Sequence, residues 1–375
     1  MSSIKEKTLH IERFSRELGF DGFGVTEPGT GKSAERYKEW LNQGYEGEMT
    51  YLSRNVEKRS DMNLIVSGVK SVVCLRTNYL TADKDMAFTH DVNRGDISLY
   101  ALNEDYHDVL AQRHRALEQK IKEEFDGCQT KVYIDTGPVL EKPLAQNAGL
   151  GWIGKHTNLI TEGAGSWYFL SEILVDAVLE TSEPALDHCG TCGSCIDICP
   201  TNAIVAPYVL DSRKCISYLT IELKGVIPLE FRKAMGNHIY GCDDCQIVCP
   251  WNSFAVKTDE EAFHERTETR QLIELLCMDD EAFRKRFRKS PVKRTKRRGL
   301  LRNVAVALGN SGNPSAVAPL TDALADHEPL IRAHSVWALG ELLGAQALAV
   351  LDANLADETE DWVINEIRLV REAYS

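Results

Sequence analysis

Eight of the eleven cysteines carry the most specific chemistry in the chain: Cys189, Cys192, Cys195 and Cys199 precede Pro200, Cys242, Cys245 and Cys249 precede Pro250, and Cys215 stands between the two runs. This is the spacing of bacterial ferredoxins, in which closely spaced thiolates wrap one corner of a cubane while the cysteine before proline ligates the other cluster. In that crossed scheme Cys189, Cys192, Cys195 and Cys249 hold one 4Fe-4S cluster, and Cys199, Cys215, Cys242 and Cys245 hold the second. Structural zinc also uses Cys-x-x-Cys pairs, but it needs neither the longer run nor the trailing proline. The remaining Cys74, Cys128 and Cys277 are isolated and read as buried packing residues.

A second pattern concerns charge. Between Ala282 and Arg302 lie eleven basic residues and no acidic one, in a chain whose net charge is -13, so the remainder carries -24. A dense basic stripe on an acidic protein points to a docked polyanion, and nucleic acid is the expected partner. A third pattern is misleading. Gly149-x-Gly151-x-x-Gly154 matches the dinucleotide fingerprint as a string, yet it follows a helical stretch and leads into a strand, the reverse of what nicotinamide binding requires.

The elements that must position these groups fall into four stretches. Residues 1–180 read as a sheet with helices packed on it: a helix over Ile4–Leu18, strands at Gly22–Val25, Ser71–Leu75 and Lys131–Ile134, and helices over Tyr106–Phe125 and Leu140–Ala148. Strands at Asn158–Thr161 and Trp167–Val175 flank Glu162-Gly-Ala-Gly165 and are expected to form a hairpin. Residues 181–255 form a ferredoxin-like segment organised by metal, and residues 256–302 a basic linker with helical character. In residues 303–375, Val304-Ala-Val-Ala-Leu-Gly309 is echoed by Ser335-Val-Trp-Ala-Leu-Gly340, the mark of HEAT-like helix pairs. The fold class is multi-domain α+β, its first domain expected to be α/β. A hydrophobic content of 43% and a charged content of 26% describe an ordinary globular chain. No apolar run approaches the roughly 20 residues of a membrane span, and the amino terminus lacks an apolar signal core, so a cytoplasmic protein is expected.

Taken together, several strings resemble the epoxyqueuosine reductases: Asp105-Tyr106-His107-Asp108, Ile134-Asp135-Thr136-Gly137, Ala148-Gly-Leu-Gly-Trp-Ile-Gly-Lys155, both cysteine runs, Tyr240-Gly-Cys-Asp-Asp-Cys245 and the repeat tail. The resemblance covers essentially the whole chain. It implies reduction of epoxyqueuosine to queuosine at the wobble position of tRNA, with cobalamin bound in the first domain beside the two clusters. The familiar Asp-x-His-x-x-Gly corrinoid motif is absent, and its nearest string, His238-Ile-Tyr-Gly241, lacks the aspartate. Cobalamin is therefore carried by the resemblance alone. The family's proton donor falls on Asp135, whose carboxyl must be raised by burial to donate at neutral pH, with Asp105 as second candidate and Tyr106 and His107 beside it. Corrin contacts are expected from Arg59, Ser98, Asp135, Lys155, His156, Leu159 and Asp244, and relatives often carry a basic residue where this chain has Leu99. Contacts to the tRNA anticodon stem-loop are expected from Lys224, Lys293, Arg294, Lys296, Arg297 and Arg298, and an external low-potential donor must supply a monomeric enzyme with electrons. Two rivals share parts of this pattern: a corrinoid reductive dehalogenase, which has no need of the basic stripe, and a two-cluster electron carrier with a helical docking module.

Overall fold

The computed structural model describes residues 3–87, 91–266 and 270–374. Helix α1 (Ile4–Glu17) starts at Ser3, whose hydroxyl accepts from the Glu6 N–H while the Glu6 carboxylate accepts from the Ser3 N–H, satisfying two free donors at once. Four strands follow: β1 (Gly22–Thr26), β2 (Ser71–Asn78), β3 (Thr130–Tyr133) and β4 (Tyr168–Val175). They form one sheet in the order β1-β2-β4-β3, and every pairing is antiparallel. The first domain is therefore α+β and not the α/β fold expected. β4 enters the centre of the sheet after a long excursion, and no helical crossover returns it in the parallel sense.

The period of two along β2 and β4 sorts their side chains between two cores. Val73, Leu75, Ile173 and Val175 face Ile11 of α1 and Leu117 and Ile121 of α2 (Tyr106–Glu124). Val72, Cys74 and Leu174 face Leu144 and Ala145 of α3 (Glu141–Asn147) on the opposite side. Helices cover both faces, which explains why these strands read as nearly unbroken apolar runs.

The expected hairpin is not formed. Leu159–Ile160 pairs backward with Trp152–Ile153, and Tyr168–Val175 pairs with β2 and β3. Only a Thr161–Gly165 bridge remains of it. The glycines of the false dinucleotide fingerprint explain the choice. A Cβ on Gly151 would lie 2.2 Å from the Ile160 carbonyl oxygen, so the backward pairing is open only to glycine there.

The cysteine runs sit on one-turn helices, Ser194–Asp197 and Asp244–Ile247, packed against one another. His238–Tyr240 pairs in parallel with Asp96–Ile97, tying the second run to the first domain. Helix α4 (Ile216–Ile221) begins directly after Cys215. The tail contains α5 (Lys296–Ser311), α6 (Pro329–Leu343) and α7 (Asp361–Tyr374) with shorter helices between them. Pro329–Asn354 is long and apolar enough to cross a membrane by length and composition. It is broken at Gly344, however, and α6 packs against α5 and α7. One core joins Ile216, Leu219, Ile239 and Tyr240 of the cysteine segment to Leu300, Val304, Val336 and Val363 of the tail.

Two further expectations change. Cys277 is exposed, because it ends the short helix Leu272–Leu276 on its outer side, whereas Cys74 is buried and Cys128 half-buried. The basic stripe is divided: Arg302 is buried and Arg297 nearly so, since α5 turns both toward protein partners. Arg302 donates to the carbonyls of Leu219, Leu223 and Gly225 at 2.7–2.8 Å, and Arg297 pairs with Asp326.

Candidate active site

The sheet, the cysteine segment and α3 enclose a cavity of about 380 Å³. Its wall brings together Asp135, Tyr106, Ser98, His156, Leu159 and Asp244 with the thiols of Cys199, Cys215, Cys242 and Cys245. Its size falls within the usual range of cofactor pockets, about 300–1,000 Å³.

The cysteines gather into two sets. Cys195 is influenced by Cys249, Cys189 and Cys192, and burial with these neighbours pushes its thiol up to about 11. Cys215 is influenced by Cys242 and Cys199, and Cys245 by Cys242, Cys215 and Cys199. Burial pushes the Cys215 thiol up to about 12, its sulfur neighbours adding to the effect. Thiols that raise one another in this way are stable as thiolates only around a strongly cationic centre, so the donor sets fit clusters. Trp152, Trp251 and Ile160 pack around Cys249, and the Lys155 ammonium donates to the carbonyls of Gly190 and Cys192. Lys155 thus braces the first cysteine loop and stands outside the cavity wall.

Asp135 lies just beyond β3 at φ +59°, a left-handed backbone that aspartate tolerates better than most residues. Its carboxylate, 53% exposed, accepts a 2.6 Å hydrogen bond from the Tyr106 hydroxyl and lies 3.9 Å from His107 Nε2. Tyr106 stacks on Phe169 with ring centroids 4.2 Å apart, and burial followed by the Asp135 charge drives its phenol far above the usual range. The burial that a neutral-pH acid requires is thus left to whatever fills the cavity.

Asp105 does not line the cavity. It caps α2 by accepting from the His107 N–H and pairs with Arg294 at 2.9 Å. Burial alone would raise its carboxyl, but the bonds from His107 and the Arg294 charge outweigh it and hold it low. That environment suits a permanent anion and not a proton donor. Arg294, expected to face RNA, is drawn toward the acid: it touches Asp105 and His107 and lies 5.5 Å over the Tyr106 ring. Lys293 and Lys296 are exposed, Arg298 is half-buried, and Lys224 is exposed on the loop after α4. Arg59 is buried, donates to the Arg54 carbonyl and lies over the Tyr37 ring, outside the cavity wall.

Sequence reading did not single out the carboxyl pair beneath Asp135. Glu172 on β4 is fully buried and Glu141 at the start of α3 partly so, and among the described residues Glu141 Oε1 and both Glu172 carboxylate oxygens have no hydrogen-bond partner. Burial and then the Asp135 charge push Glu141 up to about 8, while burial and Glu141 drive Glu172 well up, so at neutral pH the pair retains a proton. A glutamate at the centre of the apolar run of β4 was the available signal. The cavity also presents buried polar atoms without partners among the described residues: His156 Nε2 and Asp244 Oδ1. Burial, then Lys142, lowers His156 to about 4, so its ring is neutral.

Three family models match stretches of the chain. Residues 188–252 match a 4Fe-4S double cluster binding domain, residues 295–370 match HEAT repeats, and residues 59–136 match a family described as epoxyqueuosine reductase QueG. Fold and site define an iron-sulfur oxidoreductase with a helical-repeat tail. Over its length the chain is 43% identical to an epoxyqueuosine reductase of Xanthomonas campestris, covering 90% of this chain and 96% of that one, and 44% identical to that of Pseudomonas aeruginosa, covering 88% and 92%. The chain belongs to the epoxyqueuosine reductase family. A crystal structure of an epoxyqueuosine reductase with an epoxyqueuosine-modified tRNA-Tyr stem loop superposes with a TM-score of 0.92 at 29% identity, over 99% of this chain and all of that one.

Proposed function

We propose that this protein reduces epoxyqueuosine to queuosine at the wobble position of tRNA, using cobalamin and the two 4Fe-4S clusters, with Asp135 as the proton donor. The observation that carries the reading is the single cavity shared by Asp135 and the four thiols of the second set. Removing an epoxide oxygen as water takes two electrons and two protons, so a low-potential electron source must sit beside an acid. Cysteine-ligated clusters work in the required range, near about -400 mV.

A corrinoid fits the residues present. Apolar walls at Leu159, Phe169 and Ile216 suit a macrocycle, and unpartnered His156 Nε2 and Asp244 Oδ1 suit its peripheral amides, with Ser98 beside them. When bound, the group supplies a strongly reducing metal centre for breaking the carbon–oxygen bond. The chain's own part is to hold and deliver a proton. Tyr106 fixes the Asp135 carboxyl by its 2.6 Å bond, and the Glu141–Glu172 pair keeps a proton in the layer beneath. The modified base must be unstacked to reach this depth, the usual route for chemistry on a base. Lys224, Lys293, Lys296 and Arg298 are accessible for phosphates of the anticodon stem-loop. Arg297, buried on Asp326, serves the tail instead. The same reading makes the enzyme a cytoplasmic monomer supplied by an external low-potential donor.

The test is incubation of the anaerobically reconstituted protein with cobalamin, reductant and epoxyqueuosine-containing tRNA, followed by nucleoside analysis. Conversion to a nucleoside lacking one oxygen is expected. Failure of a cluster-replete, corrinoid-loaded enzyme to convert it sinks the proposal.

A further inference from the structure

His238 stands where the nearest thing to a corrinoid motif was found, yet its ring faces the second set of cysteines. It is 3% exposed, at the start of the short strand His238–Tyr240. Nδ1 lies 2.8 Å from Asp96 Oδ2, and Nε2 lies 3.3 Å from Asp244 Oδ2 and 3.9 Å from Cys242 Sγ. Nε2 thus stands within hydrogen-bond reach of two acceptors, the Asp244 carboxylate and the Cys242 sulfur. A buried cation completes the layer: Lys84 Nζ is 2.7 Å from Asp96 Oδ1 and 3.0 Å from Asp243 Oδ2. Asp243 in turn accepts from the Leu99 N–H at 2.9 Å.

We infer that His238 is a positioning and potential-setting residue for the second cluster, donating from Nε2 toward the Cys242 sulfur, with its ring lodged between the Asp96 and Asp244 carboxylates. The inference rests on the assignment of Cys242 to that cluster. Reduction adds an electron to the iron-sulfur centre and makes its sulfurs more negative. A hydrogen-bond donor held against one sulfur in a buried setting therefore favours the reduced form and raises the midpoint potential. Because solvent is excluded, the interaction is screened far less than it would be at the surface. The parallel pairing of His238–Tyr240 with Asp96–Ile97 is what brings the ring and its carboxylate anchor together, so a backbone contact between domains sets an electronic property.

The experiment is potentiometric titration followed by EPR on the reconstituted full-length protein, comparing wild type with His238→Leu and His238→Gln at one fixed pH. Iron content is measured first, and about eight irons per chain in wild type establishes independently that both clusters are assembled. The expected result is a shift of one cluster's midpoint to more negative potential in His238→Leu, a smaller shift in His238→Gln, which keeps an N–H, and no movement of the other cluster. Unchanged midpoints in both variants overturn the inference. Should the leucine variant fail to assemble, wild type grown on ring-15N-labelled histidine decides the matter. Nitrogen coupling at one reduced cluster in pulsed EPR supports the contact, and its absence from both clusters overturns it. An intact two-cluster protein with no such coupling defeats only this inference, whereas an iron-free protein defeats the functional reading beneath it.

Discussion

Tyr106→Phe removes one hydroxyl and leaves the ring that stacks 4.2 Å from Phe169, so the variant isolates the bond that holds the acid. A hydrogen bond to a charged group contributes about 1.5–3 kcal/mol net, and a carboxyl that is 53% exposed belongs at the lower end, about 1.5–2 kcal/mol. The left-handed backbone at Asp135 costs roughly 1 kcal/mol more to maintain, so an untethered loop drifts from the observed geometry. At about 1.4 kcal/mol per factor of ten, kcat should fall roughly 10- to 30-fold, with KM for tRNA little changed. Asp135→Asn should cost more, roughly 10²- to 10⁴-fold. The double variant should be no slower than Asp135→Asn alone, because Tyr106 acts only through Asp135. Single-turnover nucleoside analysis measures all three. A double variant whose losses multiply, or a Tyr106→Phe enzyme of full activity, refutes the reasoning.

Other consequences can be checked separately. Arg232 and Glu366 form a bidentate pair at 2.6–2.8 Å, each almost fully buried, so Arg232→Met should cost about 3–5 kcal/mol in denaturant unfolding. Arg232→Met with Glu366→Met should recover most of that loss. Glu141 has a folded-state value of about 8 against an ordinary 4.5, so the native state binds the extra proton between them and stability declines as pH rises through that window. Midpoints measured from pH 5 to 8.5 should show the decline, and Glu141→Gln, which removes that titrating carboxyl, should flatten it. Cys215→Ala should lower iron from about eight per chain toward about four; retention of all eight would remove Cys215 from the ligand set. Replacing Lys293, Lys296 or Arg298 by alanine should reduce the slope of log affinity against log salt by about one each, whereas Arg297→Ala should act mainly on stability through Asp326.

Local chemistry was legible in the sequence wherever spacing alone carries it. The cysteine runs, the α1 and α2 helices and the repeat tail all depend on neighbours within a few residues, and the structure reproduces those elements. What could not be read depends on partners far along the chain. Glu162-Gly-Ala-Gly165 has the composition of a hairpin turn, but the register of β4 is set by β2, nearly a hundred residues earlier. The basic stripe looked uniform because its charge is uniform. The helical turn of α5 decides which residues meet solvent and which meet Asp326 or the carbonyls after α4. Asp135 was reached through resemblance, yet its tether to Tyr106 and the proton-holding pair below it depend on the packing of β3, β4, α2 and α3.

The core shared between the cysteine segment and the tail removes a freedom that the modular sequence suggests. A chain clipped before Lys296 would lose Arg302 from the carbonyls of Leu219, within the helix that follows Cys215, and of Leu223 and Gly225 just beyond it, and would leave Leu219 and Ile239 without their apolar cover. Damage to the carboxyl-terminal quarter would then register as a bleached, metal-depleted protein and not simply as one that has lost its grip on nucleic acid. Trimming this enzyme to a minimal catalytic half is accordingly not open to engineers or to evolution without rebuilding that interface.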